Sequence, residues 1–187
     1  MTPLRMALVV LALAASSCPE LAAQTAPGRE YQIKAVFLFN FVQFVEWPQA
    51  AFSSDDAPIR IGVLGDDPFG SALDEAVRGE SVRNRRLIVV RSQRVEDLEG
   101  CHLLFISKSE SRRLDTILSL LGTRPVLSVS EAEGFARRGG VVAFYSDGKK
   151  VRFEINIGAA RKRGLKLSSE LLSLGKIVGA DSLTGEP

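Results

Sequence analysis

His102, the only histidine in the chain, follows Cys101, and few other side chains suggest acid–base or nucleophilic chemistry. Both lie in CHLLFIS (101–107), an apolar run typical of a β-strand. A single histidine inside a strand is more often structural than catalytic, and it is a difficult position from which to serve a Ser-His-acid arrangement. We therefore interpret His102 as a structural residue and Cys101 as a buried, inert thiol.

The segment GDDPFG (65–70) is the second candidate for chemistry, because it lies where a predicted strand meets a predicted helix. It lacks the Gly-Lys-Ser/Thr of a phosphate-binding loop and does not match GxGxxG. Two carboxylates at a strand end are able to hold Mg²⁺, but we interpret Asp66 and Asp67 as capping and turn residues. The sequence has no CxxC or HExxH motif and too few soft ligands for zinc. We therefore predict no catalytic residue, no metal and no cofactor, and we expect a protein that is not an enzyme.

The composition is that of an ordinary soluble globular protein of 187 residues, with 45% apolar and 25% charged residues. The formal net charge is only +2, and no run of Lys and Arg is long enough to indicate nucleic-acid binding. We divide the chain into a signal peptide (1–23), a flexible lead-in (24–29), one α/β domain (30–179) and a tail (180–187).

The first 23 residues have the features of a signal peptide. Arg5 gives a positive amino-terminal region, MALVVLALAA (6–15) is apolar but too short to span a bilayer, and Ala23 marks the expected cleavage site. The chain is therefore expected to be exported, with an uncleaved leader as the alternative. Cys18 offers a second alternative, a lipoprotein box, although its usual neighbours are missing. In the mature chain Cys101 is then the only cysteine, so an internal disulfide is excluded.

Strand and helix patterns alternate along the domain, which predicts an α/β fold with a mostly parallel sheet, helices on both faces and a C-terminal antiparallel hairpin at Asp147-Gly148. The expected strands are 59–65, 87–92, 101–107, 125–130, 141–146 and 151–157, and the expected helices are 31–47, 71–78, 109–121, 131–138 and two pieces of 158–178.

The predicted helix 31–47 is apolar on almost all sides, with one thin mixed stripe, and Pro48 is expected to end it. Such a helix is either buried on two sides by its own chain or buried on one side by a partner protein. In the last predicted strand Arg152, Glu154 and Asn156 share one face, and both a covered and a solvent-facing position remain open. The leucines that follow are more numerous than a single core-facing stripe of a helix requires. Both core packing and binding to another protein remain open as their role.

Five segments together resemble the YfiR-like family, also described as DUF4154. In chain order they are YQIKAVFLFNFVQFVEWP, IGVLGDDPFG, CHLLFIS, VLSVSEAEGFARRGGVVAF and VRFEINIGAARKRGLKLSSELLSLGKIV. The resemblance covers roughly residues 30 to 178. Its most specific combination is Glu46-Trp47-Pro48 with the FEIN…GLKLSS…LL segment.

The resemblance implies regulation. It implies a periplasmic repressor that binds the periplasmic sensor domain of an inner-membrane diguanylate cyclase and so lowers cyclic di-GMP and biofilm formation. It further implies a homodimer, and an outer-membrane lipoprotein able to sequester it. Other members lie beside sensor kinases or outer-membrane receptors, so a small-ligand-sensing role in such a system is the alternative, with loops 65–70 and 130–140 as its site. Redox-responsive disulfides occur in the family, but here the partner position of Cys101 is not cysteine, so only an intermolecular bond remains open.

Two sets of residues are the candidate sites that follow from the resemblance and the apolar surplus. The expected dimer interface is the mixed stripe of the first helix, Val36, Phe39, Asn40, Gln43 and Trp47. The expected partner-binding surface is the C-terminal strand and helix, represented by Glu154, Asn156, Leu167 and Leu171.

Overall fold

The computed structural model describes residues 26–179, and its centre is an eight-stranded sheet. The strands are β1 (Val45–Glu46), β2 (Ile59–Leu64), β3 (Ser81–Val82), β4 (Arg85–Ser92), β5 (Leu103–Ile106), β6 (Leu127–Ser130), β7 (Val142–Asp147), β8 (Lys150–Asn156), β9 (Lys166–Leu167) and β10 (Lys176–Val178). The α-helices are α1 (Ala26–Phe44), α2 (Ser71–Val77), α3 (Leu114–Leu121), α4 (Ile157–Lys162) and α5 (Ser169–Leu174). Short 3-10 segments cover Gln49–Ala51, Glu96–Leu98 and Lys108–Arg113.

The sheet has the order β10-β8-β7-β6-β5-β2-β4-β3. Strands β7, β6, β5, β2 and β4 run parallel, which confirms the predicted mostly parallel α/β sheet. The antiparallel hairpin of β7 and β8, which turns at Asp147-Gly148, is also confirmed. Strand β8 is not the last one, however, because β10 adds beside it in parallel.

Both faces of the sheet are buried, because alternate residues of its central strands contribute to two separate cores. Leu103 and Phe105 of β5 belong to the core beneath α1 and α2, whereas Leu104 and Ile106 belong to the core beneath α3. A strand that is covered on both faces is apolar throughout, which is why CHLLFIS shows no alternation.

Helix α1 ends earlier than predicted, at Phe44, because the chain then extends as β1 and pairs with β9 before it reaches Pro48. Leu38, Phe41 and Val42 are buried against the sheet. The Phe41 ring is 5.0 Å from Phe153 and 5.7 Å from Phe144, so aromatic packing joins α1 to the β7–β8 hairpin. Among the described helices, none has the length and apolar character needed to cross a bilayer.

Two predicted helical segments have other structures. Residues 131–138 form turns, because Gly134 has a left-handed backbone (φ +69°) and Phe135 is inserted into the core. The segment 158–178 is only partly helical, since β9 separates α4 from α5 and β10 follows. The predicted break near Gly164 and the predicted cap at Ser168 are confirmed, the cap by its Oγ accepting a hydrogen bond from the Leu171 amide.

The predicted helix 109–121 begins with a 3-10 segment. Ser107, rather than Ser109, is its N-cap, with its Oγ accepting from the Ser109 amide. The helix α3 then ends at Gly122, whose positive φ of 52° agrees with the predicted terminating role.

Candidate partner surfaces and cavities

His102 serves the fold through both of its ring nitrogens. Nδ1 accepts a hydrogen bond from the Arg60 amide at 3.1 Å, which makes Nε2 the protonated nitrogen that donates to the Ala51 carbonyl at 3.1 Å. The ring stacks on Phe52 at 4.4 Å, and burial lowers its pKa. The structural role predicted for His102 is confirmed.

Cys101 is buried next to His102, and burial raises the pKa of its thiol. A thiol without access to solvent and with little thiolate character is a poor nucleophile. The prediction of an inert thiol agrees with this position, which also gives no support to an intermolecular disulfide.

The 65–70 loop is held by internal contacts. The Asp66 amide donates to Ser109 Oγ at 3.0 Å, and Asp67 accepts from the Phe69 amide at 2.8 Å. Asp67 also accepts from Arg91 at 2.6 Å. These contacts confirm the predicted turn role for Asp67. Across residues 26–179, no group of three or more His, Cys, Asp or Glu side chains is arranged to hold a metal ion.

A buried ion pair, which the sequence did not predict, fastens α1 to the end of β6. Lys34 and Glu131 form a salt bridge in which each side chain is 4% exposed. The Tyr31 hydroxyl donates to the other Glu131 oxygen at 2.7 Å, and Glu30 lies 2.5 Å from the Lys34 ammonium. The one signal in the sequence was Lys34 on the apolar side of the first helix, but nothing indicated that Glu131 was its partner.

The expected partner-binding residues lie on both faces of the sheet. Leu171 is 1% exposed, in the core with Phe153 and Ile155 of β8. Glu154 and Asn156 alternate with those two residues and therefore point to the opposite face. Leu167 is half-buried and pairs with Val45. The structure thus brings Glu154 and Asn156 together but separates them from the two leucines, and Leu171 has no side-chain surface to offer.

The polar pair of this set has defined contacts. Glu154 is half-buried and lies 3.2 Å from the Lys176 ammonium. Asn156 caps α4 by accepting from the Ala159 amide at 2.8 Å, and its amide group donates to the Ala136 carbonyl at 2.7 Å. The open question about the polar face of β8 is therefore resolved residue by residue: Arg152 is exposed, whereas Glu154 and Asn156 are partly covered.

The expected dimer stripe is divided between surface and core. Val36 is 51% exposed and Gln43 is exposed, whereas Phe39 and Asn40 are half-buried. Trp47 is buried, and its indole N–H donates to the His102 carbonyl at 3.0 Å. Four of the five residues therefore remain along α1 at helical spacing, while Trp47 belongs to the core.

Two large cavities lie on the face of the sheet that carries Glu154 and Asn156. The first, about 730 Å³, is lined by residues 131–134 and 143–145 together with Lys108, Glu154 and Lys176. It includes part of the predicted 130–140 loop but none of the 65–70 loop. The second, about 810 Å³, lies between α3, the turn before β7 and α4, and it is bordered by Asn156.

Comparison with known proteins agrees with this architecture. The family described as DUF4154, YfiR/HmsC-like, matches residues 31–176. A crystal structure of a conserved domain protein from Vibrio cholerae superposes with a TM-score of 0.50 at 10% sequence identity. The match covers 79% of this chain and 59% of that chain. At this identity the likeness concerns the fold alone.

Proposed function

Because the chain belongs to the YfiR/HmsC-like family, we propose that it is a periplasmic regulatory protein that represses a membrane diguanylate cyclase. It binds the periplasmic sensor domain of the cyclase, and so lowers cyclic di-GMP and biofilm formation. The observation that carries the proposal is the family match over residues 31–176, which covers nearly the whole described domain. The leader that supports export, residues 1–23, lies outside the described residues.

The roles of the reactive side chains support binding rather than catalysis. His102 uses both ring nitrogens to hold backbone groups, and Cys101 is buried beside it. The carboxylate of Asp67 is held by Arg91. Each group that the sequence singled out for chemistry is therefore used to stabilise the fold.

We assign the cyclase-binding surface to the β8–β10 edge of the sheet. Glu154 and Asn156 lie on one face of the sheet near this edge. Leu174, the last residue of α5, and Ile177 of β10 contribute exposed apolar side chains. Exposed apolar side chains beside an ion pair such as Glu154–Lys176 are typical of surfaces that bind proteins. Leu167, which is half-buried, remains part of the proposed cyclase-binding surface. Leu171 acts only by packing α5 onto the core.

We assign the homodimer interface to the outer face of α1, where Val36, Phe39, Asn40 and Gln43 follow one another at helical spacing. Ile33, which is 39% exposed, extends this face toward the amino end of the helix. The outer-membrane lipoprotein that sequesters the repressor is expected to compete for the β8–β10 edge.

The second candidate function is a periplasmic small-ligand sensor that serves a sensor kinase or an outer-membrane receptor. The observation that favours it is the pair of cavities, whose volumes of about 730 and 810 Å³ lie in the usual range for small-ligand sites. In this case a kinase or receptor, instead of a cyclase, should co-purify with the protein.

The test is co-purification from envelope extracts with residues 24–187 as bait, followed by measurement of cyclic di-GMP in cells. Leu174→Glu and Glu154→Lys should release the cyclase and raise cyclic di-GMP, with affinity reduced about tenfold or more. Leu120→Glu is the matched control for Leu174→Glu, because Leu120 on α3 is 50% exposed and Leu174 is 61% exposed. Wild-type repression by both edge variants would contradict the assigned surface, and failure to recover a cyclase would contradict the function.

A further inference from the structure

The cavity of about 810 Å³ has an unusual excess of positive charge. Its lining contains one carboxylate and five cationic side chains: Asp115, and Arg137, Arg138, Arg161, Lys162 and Arg163. Only Arg138 is neutralised within the described residues, through a 2.8 Å contact with Asp115. The other four cations form no salt bridge in residues 26–179. Three of them, Arg161, Lys162 and Arg163, are consecutive in the sequence, which concentrates their charge.

Arg163 is the exceptional member, because its guanidinium is buried without a counter-charge. The residue is 6% exposed, and Nη1 donates to the carbonyl oxygens of Gly139 and Ala159, each at 3.2 Å. Its Nε is buried and has no hydrogen-bond partner among the described residues 26–179. Burial lowers the pKa of this guanidinium. An unpaired buried charge is costly to a fold, so its retention needs an explanation such as an anion that binds next to it.

The rest of the lining indicates what kind of anion fits. Leu118, Ile157 and Ala159 give the cavity an apolar part, and Asn156 borders it with both of its polar atoms already bonded. The volume lies within the range of about 300–1,000 Å³ that is typical of small-molecule sites. A concave site of this size and mixed lining is better suited to a small molecule than to the flat surface of a protein.

We propose that this cavity binds a small organic anion in which a carboxylate or phosphate group is attached to an apolar body. The oxyanion lies among Arg163, Arg137 and Arg161, and the apolar body lies against Leu118 and Ile157. Arginine suits this task because its planar fork of donors matches both carboxylate and phosphate oxygens. This proposal is independent of the proposed repressor function, because anion binding is measured on the isolated protein without any partner.

The test is isothermal titration calorimetry of residues 24–187 with phenyl phosphate, benzoate and, as the neutral control, benzyl alcohol. We expect saturable one-to-one binding of at least one anion and none of the alcohol; the preferred anion then distinguishes a phosphate from a carboxylate site. Arg137→Gln and Arg161→Gln, which alter exposed residues, should each weaken binding about tenfold. Arg94→Gln is the matched control, because Arg94 is an exposed arginine outside the cavity.

Two results would overturn the proposal. The first is the absence of saturable binding of either anion in the millimolar range. The second is unchanged affinity in the double variant Arg137→Gln/Arg161→Gln with an unchanged circular dichroism spectrum.

Discussion

The buried salt bridge between Lys34 and Glu131 gives the sharpest test of how α1 is held on the sheet. Replacing Lys34 with Met removes the ammonium and leaves Glu131, which is 4% exposed, without its main counter-charge. Removing one member of a buried pair costs about 3–5 kcal/mol, because the remaining charge is not solvated. Here the Tyr31 hydroxyl still donates at 2.7 Å, and Lys108 lies 3.9 Å away. We therefore expect the lower end, a loss of about 3 kcal/mol in the free energy of unfolding.

The assay is urea denaturation followed by tryptophan fluorescence, since Trp47 is the only tryptophan and is buried behind α1. The double variant Lys34→Met/Glu131→Gln removes both charges and keeps an acceptor for Tyr31, so its loss should be only about 1 kcal/mol. Lys108→Met, which alters an exposed member of the same cluster, should cost less than about 0.5 kcal/mol. A cost below about 1 kcal/mol for Lys34→Met, or a double variant as unstable as the single one, would refute the reasoning.

Three further predictions concern the interior. Burial, aided by nearby arginines, lowers the pKa of His102. The contribution of His102 to the free energy of unfolding should therefore be constant above the ordinary histidine pKa of about 6.5 and should fall as the pH decreases below it. His102→Gln should lose this dependence when denaturation is measured at a series of pH values. Cys101, whose thiol is buried with a raised pKa, should react with Ellman's reagent only as fast as the protein opens, and rapid labelling at neutral pH would contradict its placement. Gly140→Ala should destabilise the protein by roughly 2 kcal/mol or more, because the added Cβ would overlap the Phe135 ring. Thermal melting checks this, with Gly158→Ala as the control, because a Cβ there would make only an ordinary contact with Asn156 at 3.4 Å.

The fold class was predictable because its signals are local. Continuous apolar runs marked β2 and β5, and Asp147-Gly148 marked the hairpin, since each depends on a few neighbouring residues. The short strands β1, β9 and β10 were not predictable. Two or three residues carry no periodic signal, and they become strands only because a distant backbone is available to pair with them.

The candidate surfaces were predicted less well, for a related reason. Leu171 and Trp47 looked like surplus apolar residues because the number of core positions could not be known before the helices were packed. In the structure both of them fill the core beneath α1 and α5. In the sequence Arg163 looks like a solvated cation beside Arg161 and Lys162. Its burial becomes visible only in the fold, where the Gly139 and Ala159 carbonyls accept hydrogen bonds from it.

The contacts of α1 have a consequence for the order in which the fold is completed. Its partners come from the far end of the sequence: Glu131 is 97 residues from Lys34, and Val45 of β1 pairs with Leu167 of β9. Synthesis of the chain from its amino end therefore delivers α1 long before the elements that cover it. Contacts of such large sequence separation form slowly, because loop closure must precede them. The fold is therefore completed only when the last strands are available, and until then the apolar face of α1, with Leu38, Phe41 and Val42, is open to non-native contacts.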